Sequence, residues 1–254
     1  MNMSAEGYSR KAKLNEDKSV YIEPSWRGVV RWGGLSLLVS GAIAVLFFVL
    51  VVATQQTLPV PAEEALAHPW RPTALFTLTA IGEVLLLPSA LALYFSLRSV
   101  RNTPMFIATA LWALCVPMFL ASRGQIIALS QISSRYLATT DATMRASYLA
   151  AAELALETQN LYAMMGLVLL SVASIMVGTV MLAGKRVFGK RIGYVVIGAG
   201  AFTIFGAITV ITQIPIIVPV IGVILTAIWQ FYVGFRLLRL GEEGSRTPEF
   251  DSGR

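Results

Sequence analysis

Glu83 is the one acidic residue deep inside an apolar run, ten residues into the stretch 73–97. At 1.5 Å per residue that is about 15 Å from the start of the run, where a bilayer's hydrocarbon has its midplane. A charge there costs about 2.5–3.5 kcal/mol on insertion scales, so such a residue faces the interior of a helix bundle. Five residues further on, Pro88 has no N–H for the carbonyl of Val84, which should bend the helix beside the acid. Three roles fit this arrangement. Glu83 could be a protonated acid hydrogen-bonded to Gln213 or Gln230 on a neighbouring helix, part of an ion or proton path, or a catalytic group.

A second constellation lies nearer a span end. Arg123 follows the apolar run 105–121, in which Pro117 is expected to make a packing bend. Its long stem could snorkel to an interface. It could also pair with Glu153 or Glu157, which are four residues apart and so share a helical face. Paired carboxylates can perform general acid–base work, but a solvated face at a helix mouth is the simpler reading. His68, the only histidine, shares a proline-rich segment with Glu63 and Glu64. One imidazole without a nearby nitrogen or sulfur donor does not make a zinc site. Phosphate-cradling loops, zincin pairs and serine elbows are absent from the sequence. The sequence therefore assigns no catalytic residue, no metal and no cofactor.

The elements that must position these residues are transmembrane helices. The chain has 254 residues, 56% hydrophobic and 13% charged, against roughly 25% charged in a soluble domain. Six apolar runs, 32–53, 73–97, 105–121, 161–184, 192–212 and 219–238, approach or exceed the about 20 residues that cross a bilayer as a helix. The expected fold is all-α: a polytopic bundle of six transmembrane helices in 25–240, between polar, disordered cytoplasmic tails at 1–24 and 241–254. The short connection 214–218 should make spans five and six a tight hairpin.

Between spans three and four the polar stretch holds a helical pattern. Ile126, Leu129, Ile132 or Ser133, Tyr136 and Leu137 recur at helical spacing, as do Met144, Tyr148, Ala151, Ala152 and Ala155. Asp141 is placed to cap the second arm. These arms predict a long helical hairpin whose tips project outside the membrane; two short surface helices are the alternative.

The net charge of +6 raises the question of nucleic acid. The basic residues flank the spans and form no stripe interleaved with aromatics, so anionic lipid headgroups fit better. Cys115 is the only cysteine, so no intrachain disulfide is possible.

The run MLAGKRVFGKRIGYVVIGAGAF and the final IGVILTAIWQFYVGFRL, with Trp229 and Gly234 near its close, resemble the prokaryotic domain-of-unknown-function family 4386. The likeness covers 105–241. Where that family more often has a Pro-Arg pair in the basic linker, this chain has Gly189-Lys190-Arg191. The resemblance implies a multi-pass membrane protein with no known chemistry.

These features lead to a non-enzymatic protein of a prokaryotic cytoplasmic membrane that binds a lipid, a small apolar ligand or a protein partner. The alternatives are a small transporter or proton-coupled carrier centred on Glu83, and an intramembrane enzyme. Sixteen of the twenty Lys and Arg residues fall on one side of the predicted spans, and Arg71, Arg123, Arg135 and Arg145 on the other. By the positive-inside rule both termini are cytoplasmic. Reporter fusions at Gly241 and Ala65 should therefore read opposite sides of the membrane; a cytoplasmic signal at Ala65 contradicts the topology.

Overall fold

The computed structural model describes residues 23–53, 61–68, 70–184, 187–209 and 217–243. Among these residues every regular element is helical. A 3-10 turn at Pro24–Trp26 leads into α1 (Arg27–Ala53). Then come α2 (Ala62–Ala67), α3 (Trp70–Val84), α4 (Leu86–Leu97), α5 (Asn102–Ala138), α6 (Ala142–Ala183), α7 (Lys190–Thr209) and α8 (Ile217–Glu243). Most of the expected tails, the 214–216 part of the last connection and Gln213 lie outside the described residues.

Among the described residues five helical stretches are long and apolar enough to cross a membrane: Pro24–Leu50, Thr77–Leu97, Asn102–Ala138, Ala142–Ala183 and Val220–Glu242. Only 33% to 44% of each apolar window is buried. The remainder is lined by residues such as Leu46, Phe106, Leu114, Ile224 and Phe235, all exposed. Helices this apolar on their outer faces need hydrocarbon around them. The expected fifth span, 192–212, coincides with α7 but continues past its last described residue.

The helices pack in a closed circuit. α1 lies against α3 and α4, these against α5, then α5 on α6, α6 on α7, α7 on α8, and α8 back on α1. The centre is filled: Trp112 of α5 meets Trp229 of α8 edge to face, with ring centroids 5.8 Å apart. Without a hydrophobic force between helices in lipid, close backbone approach must supply the attraction. The α1–α8 crossing shows why glycine is needed there. A Cβ on Gly34 would sit 2.9 Å from the carbonyl oxygen of Gly234, and one on Gly234 3.0 Å from that of Gly34. Gly178 of α6 and Gly193 of α7 make the equivalent approach at their crossing.

The predicted bend at Pro88 is present as a break. The helix stops at Val84 and restarts at Leu86, because Pro88 has no N–H to donate to Val84. Ser89 Oγ lies 2.8 Å from the carbonyl oxygen of Leu85 and 3.3 Å from that of Gly33 on α1, so the hydroxyl serves backbone acceptors at the interruption. α5, in contrast, continues unbroken through Pro117.

α5 and α6 are 37 and 42 residues long and pack against each other. The Asp141 carboxylate accepts from Met144 N at 2.9 Å, as its position at the helix start predicts. Ile126, Leu129, Ser133, Ala152 and Ala155 of the expected stripes are buried. Leu137 and Met144 are exposed, so the seam ends short of the tips. There Arg145 lies over the Tyr136 ring, 4.6 Å from its centroid. The sequence did not reveal α2, which seats itself on this seam. Ala65 and Leu66 pack with Leu129 and Ala152 in a second, small core, and Ser133 Oγ donates to the carbonyl of Leu66 at 2.5 Å. In a Cys115→Ser background, cysteines at Leu129 and Ala152 should crosslink under mild oxidation, whereas cysteines at Leu137 and Met144 should not. Equal yields from both pairs would contradict a registered seam.

Candidate functional site

The site is built where the broken span meets the long fifth helix. α3 carries Glu83 at its penultimate position, two residues before the interruption at Leu85. Gly82, beside it, faces α1: a Cβ there would lie 3.2 Å from Ile43. Glu83 itself is turned towards α5, where Arg123 meets it. Arg123 Nε donates to Glu83 Oε2 at 3.3 Å, and Nη2 donates to Oε1. The planar guanidinium thus engages both carboxylate oxygens, the arrangement arginine makes and lysine cannot. Their side chains are 17% and 12% exposed, so water does little to screen the pair.

This geometry joins one member from each constellation read in the sequence. Glu83 was expected to find Gln213 or Gln230, and Arg123 to snorkel or to pair with Glu153 or Glu157. Glu153 and Glu157 stand exposed on α6. Gln230 is buried on α8, and among the described residues no hydrogen bond joins it to Glu83. The circuit explains this: α8 packs on α1 and α7, while α3 packs on α1 and α5. Gln230 accordingly faces the other side of α1, where a Cβ on Gly41 would lie 3.1 Å from its Oε1. There it lines a cavity of about 20 Å³ together with Ser171, Ser174, Thr203 and Thr226, room for about one water. His68 lies exposed at the end of α2.

The Glu83–Arg123 contact was within reach of counting. Glu83 lies fourteen residues before the end of α4, and Arg123 twenty-one residues after the start of α5. In antiparallel neighbours that leaves a height difference of about 10 Å, which an extended arginine and a glutamate reaching towards each other can span. What hid it was the proximity of Arg123 to the end of its apolar run.

Chemically the pair is self-neutralising. A carboxylate engaged by a guanidinium has its proton-accepting lone pairs occupied, and neither described cavity is lined by Glu83 or Arg123. A second cleft, of about 470 Å³, lies elsewhere, between the α6–α7 connection and the end of α8. No family model, curated protein or solved structure matches the chain. The fold and its apolar helices define the class: an all-helical, membrane-embedded protein.

The pair predicts strong coupling. Glu83→Met or Arg123→Met alone leaves one uncompensated buried charge and should cost about 3–5 kcal/mol, whereas the double replacement should recover most of that loss. Thermal unfolding of the four proteins in detergent measures it; additive losses would contradict the pairing.

Proposed function

We propose that this chain is a non-enzymatic, six-span protein of a prokaryotic cytoplasmic membrane, with both termini cytoplasmic, and that it acts by binding a lipid, a small apolar ligand or a protein partner. The observation that carries this reading is the Glu83–Arg123 pair in a bundle whose centre is filled by Trp112 and Trp229. A carrier needs its intramembrane acid to exchange protons or cations with a cavity. Here the acid is bound to an arginine, and neither described cavity is lined by either residue.

The six-span count takes α7, which coincides with the apolar run 192–212, as the fifth span. The orientation follows the distribution of Lys and Arg. On this reading the α5–α6 hairpin projects outside. α6 has 42 residues, about 63 Å of helix, roughly twice the hydrocarbon thickness. The α2 seat at Leu129, Ser133 and Ala152 supports a small folded head on those arms.

A second reading, a carrier centred on Glu83, draws on one observation: the acid lies beside the helix break at Leu85, where a local rearrangement could separate it from Arg123. Liposome flux decides between the two. The binding-protein reading predicts no proton or cation flux through wild-type protein under an imposed gradient. Flux that disappears in Glu83→Gln would establish the carrier instead.

A further inference from the structure

The larger cleft has the chemistry of an amphiphile site, and neither Glu83 nor Arg123 lines it. Its volume is about 470 Å³, within the 300–1,000 Å³ range of ligand sites. One wall is the last turns of α8, which present Tyr232, Phe235, Arg236 and Arg239 to the cleft. The spacing puts each aromatic four residues before an arginine, so the wall is two parallel rows: an apolar pair on the side of the span, then a cationic pair nearer the helix end. Tyr232 is 51% and Phe235 58% exposed, as aromatic side chains are at a membrane interface.

The opposite wall is held in place by the fold. Gly189 has φ +77°, in the left-handed region that favours glycine. The turn there leaves Val187 and Phe188 buried beneath the cleft. Arg236 Nε donates to the carbonyl of Val187 at 3.2 Å, which ties one arginine to the α6–α7 connection. Among the described residues neither Arg236 nor Arg239 forms an ion pair with a carboxylate. Two arginines that have no carboxylate partner among the described residues, beside exposed rings, suit a ligand with an anion at one end and hydrocarbon at the other.

We infer that this cleft binds an anionic glycerophospholipid, with the lipid phosphate between Arg236 and Arg239 and the upper acyl chain against Tyr232 and Phe235. This rests on the proposed binding function and orientation, and names its ligand class: the cleft lies at the face with the greater share of Lys and Arg, where anionic lipid is attracted. A soluble phosphate would use the arginines and leave the rings without a role. An acidic peptide would have to approach a surface that the bilayer headgroups already occupy.

The test is native mass spectrometry of the whole protein in neutral detergent, with equimolar phosphatidylglycerol and phosphatidylcholine competing. Wild type should retain phosphatidylglycerol preferentially. Arg236→Gln/Arg239→Gln should lower that preference by roughly 30-fold, from the attraction that two basic side chains supply near a lipid surface. Because Arg236 also holds Val187, Arg239→Gln alone serves as the variant without a described structural contact; it should lose part of the preference with unchanged thermal stability. Lys190→Gln/Arg191→Gln removes the same charge outside the cleft and should leave the preference intact. An equal loss in that control would reduce the effect to surface charge and overturn the site. Equal retention of both lipids would overturn it too. Displacement of phosphatidylglycerol by equimolar inorganic phosphate would make it a free-anion site and overturn the lipid assignment. A failure here leaves the flux result untouched, and flux through the wild-type protein would overturn the binding-protein reading without altering the lipid preference.

Discussion

Two opposite charges placed among apolar helices must find each other, and that constraint organises one half of this bundle. Glu83 on α3 and Arg123 on α5 meet in a two-point contact shielded from water. Either charge alone would cost several kcal/mol in hydrocarbon and could be relieved only by bending the bilayer or admitting water. Paired, they bind a short helical segment, α3, to the long fifth helix. The tie sits beside Leu85, where the helical ladder is interrupted for one residue while the backbone stays right-handed. On the opposite side of α1 glycine does the joining. There the crossing with α8 depends on Gly34 and Gly234, whose backbones approach too closely for a side chain.

The two devices meet at α1, which touches α3 and α4 on one side and α8 on the other. Among the described residues the circuit thus combines a charged joint with several glycine joints, and the tryptophan pair occupies its middle. Such an interior holds its helices in one arrangement. Beyond the small cavity at Gln230, the described features at its edges are the α5–α6 seam with α2 seated on it and the cleft beneath Arg236 and Arg239.

Much of the architecture was legible in the sequence because lipid imposes it. Runs of about 20 apolar residues become helices, since no other conformation satisfies the backbone there. Pro88 marked its own break, and Asp141 its cap. Leu129, Ala152 and Ala155 announced the seam by their spacing. The contacts that depend on which helices are neighbours were not legible. Spacing offered Gln213 or Gln230 to Glu83, and Glu153 or Glu157 to Arg123; only the circuit, which puts α5 and not α8 beside α3, brings Glu83 and Arg123 together. Leu137 and Met144 continued the apolar pattern past the point where the arms have anything to cover. The six-residue α2 is too short for a periodicity signal; its place depends on Leu66 and on Ser133 from another helix.

The central claim is that Glu83 is held as a carboxylate by Arg123 in the resting protein. Infrared difference spectroscopy of carboxyl-labelled wild type against Glu83→Gln, at neutral pH in lipid, observes that group directly. The account predicts loss of an ionised carboxylate band in the substitution, with a position sensitive to Arg123→Lys. Loss of a protonated carboxylic-acid carbonyl band instead, unmoved by Arg123→Lys, would contradict it.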